Sequence, residues 1–186
     1  MKKLDNITLL CLCTRDVEKG AEALKYSMRD MEYGAVKLVS DYRPHNLPDN
    51  IQWQQVHKMA SIDDWNHEVF YNLWKYFDTE FVLFIHPDGF VVNPQSWQDE
   101  FLQYDYIGPP WVIECSHAIR GPRVDTHELV RVGNSVSIRS KKLCKIPTEV
   151  GIPWVRYNND YNEDTQITAH NRKIFLDNGC QYAPLE

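Results

Sequence analysis

A run of five consecutive apolar residues, Phe81-Val82-Leu83-Phe84-Ile85, leads directly into His86-Pro87-Asp88-Gly89. A run of that length, β-branched or aromatic at most positions and closed by Pro and Gly, predicts a strand buried on both faces. Ile7 to Cys13 has the same character and predicts a first strand. After Thr14-Arg15-Asp16 the apolar positions fall at Val17, Ala21, Leu24, Met28 and Met31, the spacing of one helix face, with Gly34 as the stop. Ala35 to Ser40 predicts a second strand, followed by Asp41 and the Pro-punctuated loop from Tyr42 to Asn50. Strand, helix and strand in that order form a βαβ unit, the building block of a parallel sheet.

Ile51 to Val56 predicts a short third strand. Ser61-x-x-Asp64 has the form of an N-terminal capping arrangement, and Trp65, Val69, Leu73 and Tyr76 form the stripe that packs its helix on the sheet. Beyond the central strand, Ser96 predicts a cap for a short helix from Trp97 to Tyr104. Val130 to Ser140 alternates around Gly133-Asn134 as a strand entered through a tight turn, and Lys141 to Lys145 predicts a helical turn. The polar stretch from Glu114 to Glu128, with Arg120 and Arg123, predicts a loop of the kind that covers active sites. Asn162 predicts an N-cap, with Glu163 and Asp164 in the first turn of a helix reaching Asn178 and stopped by Gly179. The whole predicts a single α/β domain over residues 1–186, a mostly parallel central sheet flanked by helices.

Charge and cysteine usage narrow the function. A net charge of −6 speaks against a nucleic-acid partner, which selects basic faces. An anionic ligand would need a metal ion or a few local Arg side chains. Five cysteines without a Cys-x-x-Cys pair, Cys11 and Cys13 sharing one strand face, fit a reducing compartment and do not indicate zinc. Met1-Lys2-Lys3 before the Ile7 to Cys13 run lacks the length and cleavage site of a signal peptide. With no stretch near the roughly 20 apolar residues of a membrane span, a soluble, cytoplasmic protein is expected.

Candidate chemistry follows from position. A carboxylate at the carboxyl end of a central strand lies where open α/β sheets bind ligands, which makes Asp88 the first candidate, with His86 two residues before it. Asp88-Gly89 reads equally as a plain turn. Thr14 and Arg15, after the first strand, are candidates for a phosphate or ribose, and Asp41 for a base or ribose. Thr14 or Asp16 serves equally as a helix cap. No Gly-x-Gly-x-x-Gly or P-loop is present, which disfavours a Rossmann dehydrogenase or a P-loop enzyme. The segment from Asp105 to Trp111 is either a sugar-stacking platform or a stiff loop. Glu163 and Asp164 suit a helix start through the dipole alone, and the same field holds a carboxylate ionised to accept a proton.

An ordered set of motifs extends from Asp88-Gly89-Phe90 through Asn93-Pro94, Trp97, Glu100-Phe101-Leu102, Tyr104-Asp105-Tyr106-Ile107-Gly108 and Pro110-Trp111. It continues through Gly133-Asn134, Ser137-Ile138-Arg139-Ser140 and Glu163-Asp164 to Ala183-Pro184. From Ile62 onward the chain resembles a family of small GT-A-type glycosyltransferases found in bacteria and their viruses. The resemblance implies a GT-A-like fold with a nucleotide-sugar donor over the carboxyl ends of the first strands and a glycan or other hydroxyl acceptor. It implies Mn²⁺ or Mg²⁺ on Asp88, the acid kept from an Asp-x-Asp-like motif that here reads His86-Pro87-Asp88. It implies an inverting reaction with Asp164, or else Glu163, as base, and a sugar pocket beside Trp111, Gly133 and Asn134.

The family's Gly-Asn-Gly-Gly-Phe-Ser turn is replaced here by Gly133-Asn134-Ser135-Val136-Ser137, and relatives continue beyond the position of Glu186. Two other readings stand beside the enzyme. One is a GT-A-shaped module that binds a nucleotide-sugar or glycan without turnover. The other is a 2-His-1-carboxylate iron site of His86, Asp88 and His127 or His170 on a jelly roll.

Overall fold

The computed structural model describes residues 1–112, 129–131, 133, 135–156 and 162–184. Eight strands are present among them: β1 (Lys2–Leu12), β2 (Met31–Ser40), β3 (Gln52–Gln55), β4 (Phe81–Ile85), β5 (Tyr106–Ile107), β6 (Pro110–Val112), β7 (Leu129–Arg131) and β8 (Val136–Ser140). The helices are α1 (Val17–Ser27), α2 (Ile62–Asn72), α3 (Lys141–Val150), α4 (Glu163–Thr165) and α5 (Arg172–Asp177). Six strands form one sheet in the order β3-β2-β1-β4-β8-β5, and β6 and β7 form a separate ribbon. The pairs from β3 to β4 are parallel, whereas β8 runs antiparallel to both β4 and β5.

Strand periodicity divides the core into two layers. Ile7, Leu9, Cys11 and Cys13 of the first strand join Phe81, Leu83 and Ile85 of β4 under α1. Leu10, Leu12, Val82 and Phe84 point the other way, under α2, α3 and α5. Each fully buried Leu or Phe contributes about 1.5–3 kcal/mol, so both layers are substantial. The expected strand from Phe81 to Ile85 is buried at every position. The first crossover helix lies on one face and the second on the other. The chain leaves β1 toward β2 and β3 and then returns to place β4 on the opposite side of β1. That reversal opens a crevice between the carboxyl ends of β1 and β4.

The local chemistry of α2 follows the sequence. Ser61 Oγ accepts from the Asp64 N–H at 3.1 Å and Asp64 Oδ2 accepts from the Ser61 N–H at 2.9 Å, a reciprocal cap. Elsewhere the structure corrects the expectation. Helix α1 ends at Ser27, and Met31 and Gly34 belong to β2 instead. The three residues Asp5-Asn6-Ile7 oppose the single residue Gly34 across a register shift. A Cβ on Gly34 would lie 2.0 Å from the Asp5 carbonyl oxygen, so this glycine accommodates the bulge rather than stopping a helix. Gly34→Ala is therefore expected to lower stability by about 3 kcal/mol, read as a lower urea midpoint at unchanged slope.

Helix α3 continues past Lys145 and through Pro147 to Val150. Leu143, Cys144, Ile146 and Pro147 are all buried there, and this burial offsets the roughly 3 kcal/mol cost of an interior proline. The expected helix from Trp97 to Tyr104 is replaced by two single 3₁₀ turns, Pro94–Ser96 and Asp99–Gln103. The helical stretch after Asn162 is interrupted by a wide π turn, Gln166–His170, and closes as expected at Gly179, whose φ is 76°. The helices and parallel strands exclude the jelly roll that an iron site at His86, Asp88 and His170 would need, and His127 lies outside the described residues. Among the described residues no helix is long and apolar enough to cross a membrane.

Candidate functional site

The crevice between β1 and β4 holds a cleft of about 470 Å³. One wall is Cys13 to Asp16 with Lys19, another is Met59 to Ile62 with Trp65, and the third is His86-Pro87-Asp88. Four residues singled out from the sequence, Thr14, Arg15, His86 and Asp88, are thus brought to one place by the fold. Thr14 does not cap α1. Its Oγ1 accepts from the Met59 N–H at 3.1 Å and ties the first loop to the segment leading into α2. Asp16 holds the N-cap position in a left-handed conformation, φ 55° and ψ 40°, without a side-chain cap, and pairs instead with Lys19 at 3.1 Å.

The floor is apolar and aromatic. Trp65 stacks on Phe84 at 5.9 Å, meets His86 edge-on at 4.9 Å, and donates from Nε1 to the Leu12 carbonyl at 2.8 Å. Burial holds the His86 imidazole below its ordinary pKa, opposed by the Glu163 carboxylate and reinforced by the Arg139 guanidinium. It is a neutral hydrogen-bonding group at neutral pH. The turn is fixed from behind, since the His86 N–H donates to the Ser135 carbonyl at 3.0 Å and the Gly89 N–H to the His86 carbonyl at 3.1 Å. A Cβ on Gly89 would lie 2.3 Å from the Ser135 oxygen, so only glycine lets the two turns meet. Asp88 is left exposed at the cleft.

Asp41 lies at the end of β2, outside the lining of the cleft. Its Oδ1 is buried and finds no hydrogen-bond partner among the described residues, an uncommon condition for a carboxylate oxygen. Nearby, Tyr42 donates to Glu18, whose pKa this bond lowers.

Glu163 and Asp164 are neighbours with different surroundings. Glu163 is 2% exposed, and both its oxygens accept from Arg139, at 2.7 and 3.0 Å. Burial would lower the Arg139 pKa, yet Glu163 and Tyr106 beside it leave it raised. Asp164 is half-buried, and its Oδ1 accepts from the Thr165 N–H at 2.7 Å. Asn162 precedes them without capping the helix through its side chain, and the Glu163 N–H instead meets Asn66 Oδ1 at 3.2 Å. Gly133 is buried against Tyr106, with room for no side chain, since a Cβ would lie 2.2 Å from Tyr106 Oη. The Trp111 backbone pairs with Val130 in the small ribbon. Asn134, Arg120 and Arg123 lie outside the described residues.

Three residues of the region escaped the sequence reading as site residues. The sequence places Trp65 in a core stripe, gives no reading for Lys19, and offers Arg139 only within the motif Ser137-Ile138-Arg139-Ser140. Only Arg139 left a signal, since Ser137 and Arg139 place polar groups at alternate positions of a strand whose neighbours are buried.

A family model described as "Protein of unknown function (DUF5672)" matches residues 50–186. No curated protein matches the chain in sequence. Among solved structures, the mannosyltransferase PcManGT from Pyrobaculum calidifontis, solved in complex with GDP-Man and Mn²⁺, is similar with a TM-score of 0.50 and 9% identity. That similarity covers 95% of this chain and 53% of the other, so this chain spans about half the length of that protein. At so low an identity the likeness is one of fold, and the fold is of a glycosyltransferase type.

Proposed function

The chain belongs to the DUF5672 family, and from its fold and its cleft we propose that it is a metal-assisted glycosyltransferase acting from a nucleotide-sugar donor. The observation that carries this reading is the meeting of Thr14, Arg15, His86 and Asp88 in one cleft at the sheet's switch point. The structural neighbour was solved with GDP-Man and Mn²⁺, which supports a donor of the same chemical class here.

In this reading Arg15 and the Thr14 loop meet the donor phosphates, and the unpartnered Oδ1 of Asp41 accepts from a base or ribose hydroxyl. Among the described residues no group of three or more His, Cys, Asp or Glu could cage a metal. The donor set fits a Mn²⁺ or Mg²⁺ that arrives with a diphosphate, because such an ion takes most of its ligands from phosphate and water and needs only one or two carboxylates. Asp88, exposed at the cleft, would hold it. When bound, the ion neutralises charge on the leaving nucleoside diphosphate. The neutral His86 imidazole offers a hydrogen bond beside Asp88 without adding charge. The sugar pocket is assigned to Trp111, Gly133 and Asn134 on the sequence motifs alone. Asp164 takes the proton of an acceptor hydroxyl, on a glycan or similar molecule, with inversion. Glu163, the alternative base, has both oxygens on Arg139.

A second reading, a donor-binding module without turnover, is favoured by one observation, the full engagement of Glu163 by Arg139. A thermal-shift series of nucleoside diphosphates and nucleotide-sugars, each with Mn²⁺ and with chelator, tests both. A ligand at about 100 times its dissociation constant stabilises by about 2.7 kcal/mol, or roughly 5–10 °C for a chain of this size. A metal-dependent shift is expected with one nucleotide class. No shift with any of them would remove the donor site. A shift without sugar transfer or donor hydrolysis would leave the binding module.

A further inference from the structure

Arg139 is the bulkiest of the fully buried side chains, 1% exposed, on a strand that never reaches the cleft lining. Its Nη1 donates to Glu163 Oε2 at 2.7 Å, its Nη2 to Glu163 Oε1 at 3.0 Å, and its Nε to Ser137 Oγ at 2.9 Å. The rings of Phe84 and Tyr106 flank the guanidinium, with centroids 5.1 and 5.4 Å from Cζ. The backbone at Gly133 closes over it, since a Cβ there would lie 3.2 Å from Nη2. Glu163 is held from its other side through its N–H on Asn66 of α2. One side chain thereby joins β8, the backbone at Gly133, and the first residue of the helix that carries Asp164.

Stability alone does not call for a charged group at this position. Apolar residues of similar volume commonly match or exceed a buried ion pair in stability. What a bidentate guanidinium–carboxylate pair adds is a fixed plane and a fixed distance. Resting on the proposal that Asp164 is the base, we infer that Arg139 is a positioning residue for Asp164. By clamping Glu163 at both oxygens, it sets the first helical turn and with it the direction of the next carboxylate in the chain. Glu163 is then the held partner of Arg139 and takes no proton in the reaction.

The test is the double variant Arg139→Met with Glu163→Met, which removes the clamp and leaves no unpaired buried charge. Thermal melting, nucleoside diphosphate binding and steady-state transfer are measured beside the wild type. The double variant is expected to melt close to the wild type, to bind the diphosphate and hold the donor KM within about twofold, and to lose about 100-fold in kcat. A folded double variant with wild-type kcat, or one whose whole loss lies in KM, overturns the inference. Should the double variant fail to fold, Arg139→Lys decides, because it keeps the charge and removes the fork. A kcat at least about 10-fold lower at constant KM is then expected, and an unchanged kcat overturns the inference. A wild type that binds donors and never turns over removes the enzymatic reading and this inference together. An active wild type beside an equally active double variant removes the inference alone.

Discussion

Asp88→Ala is expected to abolish the metal-dependent stabilisation by nucleoside diphosphates and to lower sugar transfer by about 10³-fold or more. A thousandfold loss corresponds to about 4 kcal/mol of transition-state stabilisation. Removal of a single group aimed at developing charge commonly costs that much. The substitution is clean because Asp88 is exposed and the turn around it is held by other atoms. The His86 N–H donates to the Ser135 carbonyl, and Gly89 packs on Ser135. Melting without ligand should therefore change by little, since exposed substitutions usually stay within about 0.5 kcal/mol. Loss of binding at constant stability places the donor at the turn. A variant that keeps the metal-dependent shift would reduce Asp88 to a turn residue and leave the cleft's ligand undefined.

The positions of elements and the location of the cleft were legible in the sequence because both depend on local pattern. The run from Phe81 to Ile85 could be buried only at the centre of a sheet, and its place fixed where Asp88 would emerge. The capping residues Ser61 and Asp64 set the start of α2 through atoms three residues apart. What escaped depends on distant parts of the chain. Met28 and Met31 share a helical spacing, yet a bulge between Leu4 and Thr8 needs Gly34 opposite it, and this draws Met31 into β2. The sequence predicts only a helical turn from Lys141 to Lys145, whereas the buried face of α3 carries the helix through Pro147 to Val150.

The different surroundings of Glu163 and Asp164 were hidden for the same reason. Both are acids in the first turn of one helix, equally suited to its dipole. Arg139, 24 positions earlier, holds both oxygens of Glu163. Asp41, named from its place at a strand end, lies outside the cleft lining, and its buried Oδ1 has no hydrogen-bond partner among the described residues.

Substitution of the two neighbouring acids should therefore give opposite results. Asp164→Asn is expected to lower kcat by about 10³-fold, within the 10²–10⁴ that general bases contribute, with the donor KM and the melting temperature held. The amide oxygen of Asn can accept from the Thr165 N–H as the carboxylate does at 2.7 Å, so the helix start survives and only the proton acceptor is lost. Glu163→Ala should act first on the fold, because it leaves the guanidinium of Arg139 buried at 1% exposure without its partner. Breaking one side of such a pair costs about 3–5 kcal/mol, or a fall of roughly 10 °C in a domain of this size. Melting curves beside single-turnover rates separate the two effects. If Asp164→Asn turns over at the wild-type rate, the base lies elsewhere, and an inverting reaction loses its support. If Glu163→Ala melts like the wild type, the clamp contributes no stability, and any loss of rate in it reports the placement of Asp164.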